Sequence, residues 1–166
     1  MTVQGHKTYS EATIWEALKE VMDPEIPVLS LVDLGVVREV KVTDAGVTVV
    51  MTPTFAGCPA LEVMRRQVEE KLREMAAPNP KVEMVLEPAW TSDCITPEGR
   101  RKLESFGLAP PPVHGGDLAI MLNPVVRCPY CGSLQTRVTN TFGSTLCRAI
   151  YYCDGCQQAF EQFKPL

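Results

Sequence analysis

Two C-x-x-C pairs carry the clearest chemistry in this sequence: Cys128 and Cys131 in "CPYCGS", and Cys153 and Cys156 in "CDGCQQ", with 21 residues between the inner cysteines. A two-residue spacing lets both sulfurs of a knuckle reach one ion, and four thiolates around it make a tetrahedral site of the zinc-ribbon type. Gly132, beside Cys131, permits the tight turn that aims backbone N–H groups at the sulfurs. Zinc is the expected metal and mononuclear iron its competitor, since the same ligands suit iron in a coloured, redox-active centre. A closed four-sulfur site keeps no position for substrate or water. Its expected task is to hold together about 40 residues, too few to be stable on apolar burial alone.

A second candidate is Cys58, in "TFAGCPALEVMRR". If Pro59 opens a helix, Cys58 is its N-cap, with sulfur beside unsatisfied N–H groups at the positive end of the helix dipole. Thiol pKa values there fall from about 8.5 to roughly 3.5–7.5, which makes a nucleophile and a soft-metal ligand. The competing reading is a buried cysteine that fills space. Asp23, Glu25 and Asp33 follow the first helix and could help a thiolate bind iron, or could serve only as turn caps. Cys94 lies two residues before a helix cap and ranks below Cys58, and Cys147 reads as a packed small hydrophobe. A Cys–His catalytic pair has no obvious base, because His6 falls in the terminal segment and His114 in a linker.

The elements that must position these residues show in the periodicity. Ile14, Leu18 and Val21 predict an apolar helix face over "SEATIWEALKEVMDPEIP", ended by Asp23-Pro24. "VVREVKV" and "VTVVMT" predict a β-hairpin turning near Asp44–Gly46, the second run a central strand. A helix follows from about Pro59 to Met75, then a strand at "KVEMVLEP" and a short helix capped by Thr96 with Gly107 near its end. Residues 109–126 have the Pro/Gly composition of a semi-rigid linker, with "DLAIML" expected to pack within the chain. Gly143-Ser144 marks a turn between two β-prone runs, so a hairpin can bring the knuckles together. The expected architecture is α+β: a small two-layer α/β domain over 1–108 with a sheet of three or more strands and flanking helices, the linker, and a zinc ribbon over 127–166.

The 166 residues are 45% hydrophobic and 22% charged, the balance of a chain that buries a core. A net charge of −4 and a pI near 5.2 argue against nucleic acid or an anionic membrane as partner. From Arg127 onward, four Arg or Lys against two Asp or Glu make no basic patch, and the ribbon's aromatics read as core rather than as a base-stacking surface. With no apolar run of spanning length or secretory leader, the expectation is cytoplasmic. Seven cysteines, four in pairs, favour metal thiolates over disulfides.

Together, "MDPEIPVLSLVDLGVV" and "VTVVMTPTFAGCP" resemble the SufT-like family associated with iron-sulfur protein maturation, over roughly Ser10 to Glu87. With "WTSDCITPEGRRKLESFGLAPP" and "FGSTLCRAIYYCDGCQQAFEQFK", the whole chain is similar to the PaaD (PaaJ) family of bacterial phenylacetate degradation. The resemblance implies a non-enzymatic accessory of the phenylacetyl-CoA epoxidase system, assisting cluster assembly in its iron-sulfur flavin reductase. A structural scaffold of the oxygenase without cluster chemistry is the alternative, and an electron carrier with iron in the ribbon is a third reading. The family's T-x-x-x-C-P cysteine corresponds to Cys58 and its D-P-E loop to Asp23, Pro24 and Glu25. The implied cofactors are a structural zinc and an iron or iron-sulfur cluster held transiently, with the epoxidase subunits as partners.

Overall fold

Ser10 starts the first helix, its Oγ accepting the Thr13 N–H at 3.2 Å, an N-cap that satisfies one of the orphan donors of α1, Glu11–Leu18. The structure, a computed structural model, describes residues 9–55 and 57–166; His6 lies outside them. Ile14 and Leu18 are fully buried, as the periodicity requires. The helix stops well before Asp23-Pro24, however. Val21 is already in an extended segment: its carbonyl accepts the Leu31 N–H at 2.9 Å, and the Asp23 N–H donates to Leu29 at 2.8 Å. This cross-pairing satisfies the backbone groups that another helical turn would have used. It also throws residues 24–28 out as a closed loop.

The "SLVDLG" stretch folds as α2, Leu31–Leu34, capped by Ser30 and ended by Gly35 at φ 74°. A Cβ at Gly35 would sit 2.2 Å from the Cys94 carbonyl oxygen, so both the left-handed geometry and the close approach require glycine. The predicted hairpin is present: β1, Val37–Thr43, pairs antiparallel with β2, Gly46–Met51. α3, Leu61–Glu74, then crosses over to β3, Lys81–Met84, which pairs parallel with β2. With order β1-β2-β3, β2 is central, and Val47, Val49 and Met51 are completely buried. α3 covers the sheet with Met64, Val68 and Leu72, each burial contributing about 1.5–3 kcal/mol.

After a 3-10 turn at Ser92–Cys94 comes α4, Pro97–Ser105, in which Thr96 accepts the Gly99 N–H at 3.0 Å, the predicted cap, and Pro97 fills the first turn. Residues 109–126 depart from a simple tether. β4, Leu108–Ala109, pairs parallel with the last strand of the C-terminal sheet. His114, which the composition left in a linker, is buried: its Nδ1 accepts the Gly116 N–H at 2.9 Å, and Nε2 lies 3.3 Å from the Leu166 carbonyl oxygen. "DLAIML" forms α5, Leu118–Leu122, and contrary to expectation buries none of its residues; Leu122 is 83% exposed. One and a half turns cannot present a continuous apolar face, and Ile120 and Met121 are only half-buried.

The C-terminal sheet has order β4-β7-β6-β5, with β5 at Thr136–Asn140, β6 at Arg148–Cys153 and β7 at Gln158–Phe163. Its two faces serve different cores. Ala149, Tyr151 and Phe160 pack around the knuckles, while Leu108, Cys147 and Phe163 join the core of the first sheet, Phe163 lying 6.2 Å from Trp90 between ring centres. Arg148 reinforces the join, donating to the Glu25 carbonyl oxygen at 2.8 Å and to the Glu161 carboxylate at 2.9 Å.

Candidate functional site

The hairpin of β6 and β7 carries one knuckle at its turn, and the turn before β5 carries the other. Strand pairing therefore delivers all four sulfurs to one point. Cys128 and Cys156 Sγ lie 3.7 Å apart, Cys131 and Cys153 Sγ 3.6 Å, and all four fall within 4.8 Å of one another. A tetrahedron with Zn–S bonds of about 2.3 Å has edges near 3.8 Å, so the donor set fits zinc closely. Gly132, at φ 73°, turns the first knuckle; in the second, Gln157 takes the same handedness at φ 60° without glycine's freedom. The Cys156 amide N–H holds the Cys153 thiol down at about 7, whereas burial and the neighbouring sulfurs push Cys156 up to about 12. Four sulfurs this close are held together as thiolates by a cation. Tyr151 and Phe160 stack at 5.7 Å within the ribbon, core residues as expected, whereas Tyr130 is 57% exposed and departs from that expectation.

Cys58 lies elsewhere, and not as an N-cap. The helix begins at Leu61 with Ala60 as its cap, and no side chain closes that end. Cys58 is instead the corner of two tight turns, its N–H donating to Phe55 at 3.1 Å and its carbonyl accepting the Leu61 N–H at 3.2 Å. Its carbonyl, not its sulfur, meets the incoming helix, because Pro59 disfavours helical geometry in the residue before it. The dipole argument for a thiolate therefore does not apply here.

The turn does aim Cys58 into a cavity of about 310 Å³ whose wall also includes Asp23 and Glu25. Asp23 is 8% exposed, and its Oδ1 accepts the Glu25 and Ile26 N–H groups, each at 2.8 Å, closing the Asp23-Pro24-Glu25 loop. Burial pushes the Asp23 carboxyl above its ordinary pKa despite those bonds. Cys58, Asp23 and Glu25 share the cavity without converging as the ribbon sulfurs do; among the described residues, the four ribbon cysteines are the group with metal-ligand spacing. Asp33 stands apart as a structural group bonded to Ser30, Thr96 and Lys102. Cys94 contacts Arg38 at 3.4 Å and does not line the cavity.

Cys147 is the packed small hydrophobe expected, and its position adds something the sequence does not show. It is buried, as a filler would be, yet it lines the same cavity from the ribbon side, beside Phe142 and Leu146 of the β5–β6 loop. The signal available was Gly143-Ser144, which marks the reversal but not the surface the loop folds onto.

Residues 11–85 match the family described as iron-sulfur cluster assembly protein, and residues 118–164 match the PaaD zinc beta ribbon domain. An Escherichia coli (strain K12) protein, provisionally named as a subunit of 1,2-phenylacetyl-CoA epoxidase, is 42% identical over 91% of this chain and 90% of its own. The Fe-S protein maturation auxiliary factor SufT of Staphylococcus aureus (strain USA300) is 40% identical over 46% of this chain and 88% of its own. Among solved structures, a domain of unknown function, DUF59, from Bacillus anthracis superposes with a TM-score of 0.53 at 25% identity, covering 56% of this chain and 90% of that one. Assembly-type domain, ribbon and the near full-length relative coincide on one chain, which belongs to the PaaD family.

Proposed function

We propose that this chain is a non-catalytic accessory of a phenylacetyl-CoA epoxidase system that carries iron, alone or in a cluster, to an iron-sulfur protein of that system, its flavin reductase. The observation that carries this reading is the joint exposure of Cys58, Asp23 and Glu25 to one cavity inside a domain of the iron-sulfur assembly type. A thiolate with adjacent carboxylates is a ligand set for iron, and the two turns that hold Cys58 leave its sulfur free to give the metal up. The named relatives support an accessory role from two directions, as an epoxidase subunit and as maturation factors.

The ribbon serves a different purpose. Zinc on Cys128, Cys131, Cys153 and Cys156 supplies a closed structural centre, and the ribbon's other face, with Cys147 and Phe163, docks on the first domain. The paired spacing of four of the seven cysteines favours metal thiolates over disulfides and supports action in a reducing compartment.

Iron, zinc and acid-labile sulfide in protein purified without oxygen test the carrier role, with Cys58→Ala alongside. The expected result is zinc in both proteins, with iron or sulfide only in the native one. Zinc alone in both would favour a scaffold, and iron in the ribbon cysteines would favour an electron carrier.

A further inference from the structure

The cavity that receives Cys58 has a second thiol in its wall, Cys147, contributed by the ribbon. Among the described residues its wall has two thiols and two carboxylates, Asp23 and Glu25, and no Lys, Arg or His. The nearest guanidinium, on Arg148, donates to the Glu25 carbonyl oxygen and the Glu161 carboxylate and acts on the cavity from behind its wall. Burial pushes the Cys147 thiol up with help from Glu25 and Asp23, against the Thr145 hydroxyl 3.1 Å away and the Arg148 charge. Two sulfurs and two carboxylates on one cavity wall are a donor set for a soft divalent metal such as iron.

We propose that Cys147 is, with Cys58, a thiolate ligand for iron in this cavity, so that the ribbon and the first domain build the cargo site together. The proposal rests on the reading of Cys58 as the carrier and adds the second ligand. On binding, each thiol gives its proton to water as its sulfur bonds the metal, and no electron changes hands. The donors are more widely spaced than the ribbon sulfurs, so ligation draws the β5–β6 loop toward Cys58. Phe142 and Leu146, 66% and 58% exposed at the rim, are placed to cover the metal from water as they move.

Cobalt(II) added without oxygen to the full, zinc-loaded chain tests this, because sulfur-to-cobalt charge-transfer absorption grows with the number of bound thiolates. The native protein should show a two-thiolate band beyond any cobalt in the ribbon, with zinc retained. Cys147→Ser and Cys147→Val should each halve the band and weaken cobalt at least about tenfold, the lower end of the cost of disturbing even a ligand's supporting partners. Native-like cobalt binding in Cys147→Val, which keeps the buried apolar volume, would overturn the proposal while leaving Cys58 as carrier. No thiolate band in the native protein would overturn both. Reconstitution with ferrous iron, with and without sulfide, then separates an iron atom from a cluster as the cargo.

Discussion

Asp33 shows how a carboxylate that sequence reasoning offered as an iron ligand is spent on folding. It accepts hydrogen bonds from Ser30, Thr96 and Lys102, the last at 2.6 Å, and ties α2 to α4. Burial alone would raise its pKa; the bonds from Lys102 and Ser30 overcome that and hold it below 3.8. A depressed pKa contributes stability that is fully present above the unfolded value and is lost as pH falls through the folded one. Asp33→Asn should therefore cost about 1–3 kcal/mol in urea unfolding at pH 7, with the cost shrinking below about pH 4. An equal cost at pH 7 and pH 3 would show that the charge is irrelevant. Asp23 has the opposite sign, since its raised pKa makes ionisation oppose folding as pH rises past 3.8. The paired cysteines were legible in sequence because a two-residue spacing is itself the chemistry. The environment of Cys58 was only half legible: Pro59 marks a nearby helix start, but two turns intervene before Leu61.

At the scale of elements, the ribbon is a module whose knuckle side depends on metal and whose other side completes the core of its neighbour. Phe163 and Leu108 are 2% exposed within that shared core, and the Leu166 carbonyl accepts the Ser92 N–H at 2.9 Å. Removing the metal should therefore be felt at Trp90, 5% exposed and packed on Phe163. With Trp15, the other of two tryptophans, replaced by Phe, chelation should shift Trp90 emission to longer wavelength, and zinc should restore it. Unchanged emission after complete zinc loss would show that the ribbon keeps its docking face without metal. This coupling could not be read from sequence, because Ala109-Pro110-Pro111 has linker composition whether or not Leu108–Ala109 joins a sheet. The hairpin, α3 and the Thr96 cap were readable, since alternation, apolar period and cap chemistry are local. The early end of α1 was not, because the partner that takes over its backbone, Leu29–Leu31, lies across a loop.

For the whole molecule, two sheets with separate hydrogen-bond networks share one apolar core, and the cavity lies where they meet, lined from both sides. That location suits a carrier: a site between two units can open to a client by small movements of one against the other, while a site deep in either could not. The central claim is delivery of iron through Cys58, and the most direct measurement is cluster content of the client. In cells whose own copy is deleted, the reductase of the epoxidase system would be purified after complementation with the native chain or with Cys58→Ala, and its iron and acid-labile sulfide counted. The account predicts a full cluster with the native chain and a reductase largely without one with the variant, although the variant itself accumulates normally with its zinc. A fully loaded reductase in cells carrying only Cys58→Ala would contradict it.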